Sequence, residues 1–273
     1  SNLFEKFDEN GVPLKLIRGE YTYFYTKIFT YALAAWHRFL LGQTDKDYRK
    51  SVLDIVGYIC KTISIEGDGA VFRNYEVATG AHTGRVCGAM EQGIGITLLC
   101  IGYELTGNKE LLSIAEKALV PYHHPIEKGG VVRYLDPGHL TWYEEFPTSD
   151  LHVLNGCLDS LLGPFYLFQQ TKNPDAIAVF KTGIATVELV LPMFDNGIWS
   201  NYYISEAKPP YIASMKYHMI HVYQLQFLGR VAGSDICTRY AQKFEEYSNN
   251  HFKRIAALVT IAWQKRKVKP VNS

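Results

Sequence analysis

The chain has 273 residues, of which 47% are hydrophobic and 20% charged, and a net charge of +1. That balance excludes a disordered chain and a general nucleic-acid binder, and no apolar run is read as long enough to span a membrane. Five scattered cysteines (Cys60, Cys87, Cys100, Cys157, Cys237) without a CxxC pair read as reduced, packed thiols of a reducing, cytoplasmic setting. The polar start SNLFEKFDENG lacks the apolar core of a signal peptide, and Ser1-Asn2 has the look of an expression scar, which leaves a lost upstream segment open.

Four breaks follow one another along the chain. They are Leu41-Gly42-Gln43-Thr44-Asp45, Leu105-Thr106-Gly107-Asn108-Lys109, Gln170-Thr171-Lys172-Asn173-Pro174-Asp175 and Val231-Ala232-Gly233-Ser234-Asp235. Thr44, Thr106, Thr171 and Ala232 are 62, 65 and 61 residues apart. In each break a Gly or small polar residue stops one helix and an Asp, Asn or Ser caps the next. The helix after each break is amphipathic: Ile236, Tyr240, Phe244 and Tyr247 recur at helical spacing among charged residues. The helix before is apolar all round, as in Ile94 to Tyr103, which suits an inner helix covered by an outer one. Gln92-Gly93-Ile94-Gly95 is too short for a dinucleotide fingerprint and reads as close helix packing.

A second signal keeps the same period. Gly67 to Phe72, Gly129 to Tyr134 and Asp195 to Ser200 are glycine turns followed by short extended pieces, which link one hairpin to the next. Four hairpins with such links predict an all-α fold over 1–273, a single incomplete α/α toroid of about eight helices; an open solenoid satisfies the same period.

Three segments are polar where the pattern expects packing. Thr141-Trp142-Tyr143-Glu144-Glu145-Phe146-Pro147 sets two acids among aromatics, whose walls can raise a carboxylate's pKa; a solvated acidic turn is the competing reading. Gly197-Ile198-Trp199-Ser200-Asn201-Tyr202-Tyr203 fills the equivalent link one repeat later. Tyr217-His218-Met219-Ile220-His221 opens the fourth inner helix, with Tyr217, His221 and Gln224 on one face. His218 and His221 lack the further ligands of a zinc site, so no metal is expected. The run Lys265-Arg266-Lys267-Val268-Lys269 reads as a solvated tail.

In this order and spacing, Met90-Glu91-Gln92-Gly93, Gly129-Gly130-Val131, Trp142-Tyr143-Glu144-Glu145-Phe146-Pro147, Val153-Leu154-Asn155-Gly156, Trp199-Ser200-Asn201-Tyr202 and Tyr217 to Leu225 resemble the C-terminal catalytic domain of D-glucuronyl C5-epimerases. Those enzymes convert glucuronic to iduronic acid within heparan-type (heparosan-derived) polysaccharides on an α/α barrel. The resemblance implies a uronate C5-epimerase in which Glu145 and Tyr217 are the acid/base pair and Tyr202 meets the substrate carboxylate. It makes Trp142, Tyr143, Glu144, Asn155, Trp199, His218, His221 and Arg133 substrate-binding candidates, with Arg85 as a further anion grip. No cofactor is implied. The partner is an anionic polysaccharide or oligosaccharide, not a nucleic acid or membrane, and a homodimer is left open. Two positions depart from the family's pattern: Phe146 replaces a Tyr, and Tyr203 an acid. A uronate lyase, a glycoside hydrolase or a non-catalytic saccharide-binding domain are the alternatives. A hydrolase needs carboxylates on both sides of the bond, which the adjacent Glu144 and Glu145 supply poorly.

Overall fold

A computed structural model describes residues 6–17, 19–75, 84–135 and 140–267, the last without its side chain. Ser1-Asn2 and the Val268 and Lys269 end of the basic run lie outside the described residues. The fold is mostly helical with short strands: α1 (Tyr25–Leu40), α2 (Tyr48–Thr62), α3 (Ala89–Thr106), α4 (Lys109–Lys117), α5 (Leu154–Ser160), α6 (Leu162–Thr171), α7 (Pro174–Val190), α8 (Met215–Ala232), α9 (Asp235–Asn249) and α10 (His251–Lys267).

The four breaks share one physical device. After α1, α3, α6 and α8 the chain turns left-handed at Gly42 (φ 68°), Gly107 (φ 71°), Lys172 (φ 57°) and Gly233 (φ 67°). The next helix is then capped by a short polar side chain that accepts a backbone N–H: Asp47 from Lys50, Asn108 from Glu110, Asn173 from Asp175, and Ser234 from Cys237. The first cap falls two residues later than Asp45, whose carboxylate instead accepts from the Tyr48 hydroxyl. Lys172 holds a conformation that favours glycine.

The hairpins α1/α2, α3/α4, α6/α7 and α8/α9 pack internally, and α3 also meets α1, α5 and α6, while α5 meets α8. Every residue of α3 from Ala89 to Gly102 is buried, as its unbroken apolar face requires. Close packing there rests on glycine: a Cβ on Gly93 would lie 2.5 Å from the Ser160 Cα. Two expectations are corrected. The third inner helix begins at Leu154, because His152–Val153 is drawn into a strand, and it is interrupted at Leu161, where Pro164 has no N–H for the Ser160 carbonyl. An extra helix, α10, follows the fourth hairpin. A third correction concerns length: Pro174–Phe194 is apolar and long enough to cross a membrane by composition, but half of its most apolar stretch is buried in the protein.

The links form small antiparallel sheets. Ser64–Glu66 pairs with Gly69–Val71, Arg73–Tyr75 with Arg85–Cys87, and Val132–Leu135 with Leu140–Tyr143. Buried Gln92 pins the first of these onto α3, accepting from Phe72 N–H (2.9 Å) and donating to the Ala70 and Ala118 carbonyls. His152–Val153 pairs with Asn201–Ile204, which pairs with Tyr211–Ile212, so the second and third links share one sheet. An N-terminal hairpin, Pro13–Ile17 with Glu20–Tyr23, lies before α1.

Candidate active site

Glu144 and Glu145 follow the strand Leu140–Tyr143, where successive side chains point to opposite sides. The Glu144 backbone is held on both sides, its N–H donating to Val131 O (2.8 Å) and its carbonyl accepting from Ala89 N–H (2.8 Å). Its side chain is fully buried, with Oε2 3.2 Å from Arg133 Nε and 2.8 Å from His152 Nδ1. Arg133 also donates to the carbonyls of Pro147 and Ser149. Glu144 and Arg133 therefore brace the turn that presents Glu145.

Glu145 points the other way, against Gly156 at the start of α5 and into a cleft of about 270 Å³. That cleft is also lined by Tyr202 and Tyr217, so the three residues given catalytic roles converge on one space. Its remaining walls include Phe24 and Thr26 at the start of α1, Asn74, Glu91 and Phe146. Two larger hollows, of about 660 Å³ beside Asp8 and α2 and about 450 Å³ beside Arg133, contain none of the three.

Local structure explains each placement. The register shifts between Asn201 and Tyr203, and the irregular strand carries Tyr202 into the cleft while Tyr203 stacks on Tyr211. Tyr217 stands in the first turn of α8, whose cap Ser214 accepts from its N–H. The rings of Tyr202 and Tyr217 are 4.8 Å apart. Burial, then the charge of Glu145, raises the pKa of both phenols; the hydrogen bond between them raises Tyr202 further and partly relieves Tyr217.

The two histidines sit beneath this pair. Ser200 N–H donates to His218 Nδ1 (3.2 Å), so His218 Nε2–H donates to Phe244 O (2.8 Å). The Ser200 hydroxyl lies 2.8 Å from His218 Nδ1 and 2.9 Å from His221 Nδ1. Trp199 stacks on His218 at 3.7 Å. Burial pushes His218 down to about 4 and His221 to about 3, so both are neutral. They tie the strand bearing Tyr202 to the helix bearing Tyr217.

The other sequence candidates also serve packing. Trp142 is buried against Phe194, and the Tyr143 hydroxyl donates to Val179 O (3.0 Å). Asn155 is buried, and its carbonyl accepts from Gln224 Nε2 (3.0 Å). Arg85 lies over the Tyr75 ring. None of Trp142, Tyr143, Glu144, Asn155, Trp199, His218, His221, Arg133 and Arg85 lines the cleft. Their contacts support the segments that carry Glu145, Tyr202 and Tyr217.

Three groups were missed. Glu91 lines the cleft, its Oε1 accepting from Thr26 Oγ1 (2.6 Å) and Asn74 Nδ2 (2.8 Å). Asp159 lies close enough to Tyr217 and Glu91 to repel their charged forms; burial pushes it up to about 7, against the Gln224 amide. An acid beside buried apolar residues of an inner helix is the signal that marks both. Lys15, from the N-terminal hairpin, lines the cleft without any local sequence signal.

Comparison with known proteins follows this geometry. The family described as D-glucuronyl C5-epimerase C-terminus matches residues 71–246. A D-glucuronyl C5-epimerase of Caenorhabditis elegans is 29% identical over 176 residues, 59% of this chain and 28% of that protein. An uncharacterized protein of Methanocaldococcus jannaschii is 26% identical over 211 residues, 76% of this chain and 64% of its own length. The chain thus spans less than two thirds of either relative.

Proposed function

Because the chain belongs to the D-glucuronyl C5-epimerase C-terminus family, we propose that it epimerises glucuronic acid residues of a polysaccharide at C5. The observation that carries this reading is the convergence of Glu145, Tyr202 and Tyr217 on one cleft. In this reading the four hairpins curve as an incomplete α/α toroid around that cleft.

The chemistry follows from the groups present. The C5 proton is alpha to a carboxylate, and its removal leaves charge spread onto the carboxylate oxygens. Glu145, ionised, takes that proton and becomes neutral. The Tyr202 phenol, held protonated by burial and by the nearby acid, donates a hydrogen bond to the charge that develops. Tyr217, also protonated, delivers its proton to C5 from the opposite face. One turnover leaves Glu145 protonated and Tyr217 as a phenolate. The reverse reaction uses them in exchanged roles, and proton exchange with solvent resets them. Glu145 comes from the second link and Tyr217 from the fourth inner helix, an arrangement that supports two-sided attack.

The test is incorporation of solvent deuterium at C5 of a heparosan-like polymer. Exchange with recovery of both epimers is expected. Release of an unsaturated product absorbing in the near ultraviolet would instead identify a lyase, and binding without exchange a non-catalytic module.

A further inference from the structure

We propose that Lys15 grips the carboxylate of the sugar in the cleft and so sets the preference for an acidic over a neutral sugar. The inference rests on the uronate reading above and deepens it.

Among the described residues that line the cleft, two are acids and one is a cation. Glu91 and Glu145 are 6% and 7% exposed, and both line it. A uronate would bring a third carboxylate into the same small, poorly solvated space, where like charges repel strongly. The phenols of Tyr202 and Tyr217 can donate hydrogen bonds, but as neutral groups they do not offset that charge. A cation is required. Among the described residues lining the cleft, Lys15 is the one that carries positive charge. Arg133 is committed to Glu144 and two carbonyls, and the Arg85 guanidinium lies over Tyr75.

Lys15 is also built to hold position. It occupies the middle of the strand Pro13–Ile17 and pairs with Thr22. Its ammonium sits 3.8 Å from the centroid of Phe24, the residue that caps α1 and lines the cleft. A cation over a ring face is attracted to it while its N–H groups remain able to bond an anion. Burial, and then the charge of Lys27, pulls the Lys15 pKa down, so an arriving carboxylate would relieve an existing cost. Lys15 lies on the N-terminal hairpin, outside the segment matched to the family, 71–246.

The experiment uses a glucuronate-containing heparosan oligosaccharide and the same oligosaccharide with its carboxyls reduced to glucose. Calorimetric binding and C5 exchange are measured for the wild type, Lys15→Met and Lys15→Arg. The wild type should bind the acidic ligand more tightly than the reduced one. Lys15→Met should abolish that difference, raise KM for exchange by about tenfold or more, and lower kcat much less. Lys15→Arg should restore most of the discrimination. Melting temperatures should be alike. A Lys15→Met variant that still discriminates, or an unchanged KM, overturns the inference and leaves the C5 chemistry standing. A wild type that discriminates but exchanges nothing overturns the epimerase reading and leaves the carboxylate grip standing. A wild type that binds both ligands equally overturns the grip directly.

Discussion

Gly156→Ala should disable the site without unfolding the protein. A Cβ at this position would lie 2.6 Å from the Glu145 Cβ and 2.7 Å from its Cδ, so the clash reaches the stem of the side chain as well as its tip. Neither backbone can readily retreat. Glu144 is clamped to Val131 and Ala89, and the carbonyl of Asn155 is held by Gln224. The Glu145 carboxyl must therefore swing by roughly 1 Å, a displacement that can cost about 10²-fold in rate. That is about 2.7 kcal/mol in activation free energy. Overpacking costs about 1–3 kcal/mol of stability, partly offset by about 1 kcal/mol from replacing a helical glycine. Deuterium exchange at C5 should thus fall about 100-fold while urea denaturation shows a loss of about 2 kcal/mol or less. Gly57→Ala is the control: it lies in α2 with nothing within 4 Å of the added Cβ, and should stabilise by up to about 1 kcal/mol with activity intact. Exchange by Gly156→Ala within about threefold of wild type would refute the positional role given to Glu145.

Three further outcomes follow from the packing. The two buried histidines have folded pKa values, about 4 and about 3, below their unfolded value. The unfolded chain therefore binds more protons below about pH 6.5, and stability falls as pH drops from there toward those values. A loss of about 3 kcal/mol between about pH 7 and pH 5, read from urea midpoints, is expected; a flat profile would show that neither histidine is buried neutral. Lys172→Gly should stabilise by about 1 kcal/mol, since Lys172 alone among the four break residues holds a left-handed turn with a side chain; destabilisation in thermal melting would count against that backbone geometry. Glu144→Leu should destabilise by about 3 kcal/mol, because it strips Arg133 and His152 of their shared acceptor. Full stability by chemical denaturation would contradict the bracing role.

Much of the scaffold was legible in the sequence because its punctuation is local. A left-handed stop and a polar cap recur at each break, and periodicity separated all-round apolar α3 from amphipathic α9. Lys172 hid its role, since a lysine gives no hint of a positive φ. The strand His152–Val153 was not readable, because pairing with Asn201–Ile204 decides it across some fifty residues, whereas the break at Leu161 has a local cause in Pro164, which has no N–H for the Ser160 carbonyl. Glu145, Tyr202 and Tyr217 were singled out by a resemblance, and all three line one cleft. Sequence alone does not show that Trp142 stacks on Phe194 or that Trp199 stacks on His218, because tertiary packing sets both contacts. Lys15 was missed because only tertiary packing brings the N-terminal hairpin to Phe24 and Glu145.

The central claim is that Glu145 and Tyr217 exchange the C5 proton of a uronate across one cleft. The most direct measurement is deuterium incorporation at C5 of a heparosan-like polymer by the wild type, Glu145→Gln and Tyr217→Phe, each first shown to be folded. The account predicts incorporation by the wild type and a loss of at least about 100-fold in each variant, the cost of removing one member of an acid/base pair. Incorporation undiminished in either variant, or none by the folded wild type on any uronate polymer, would contradict it.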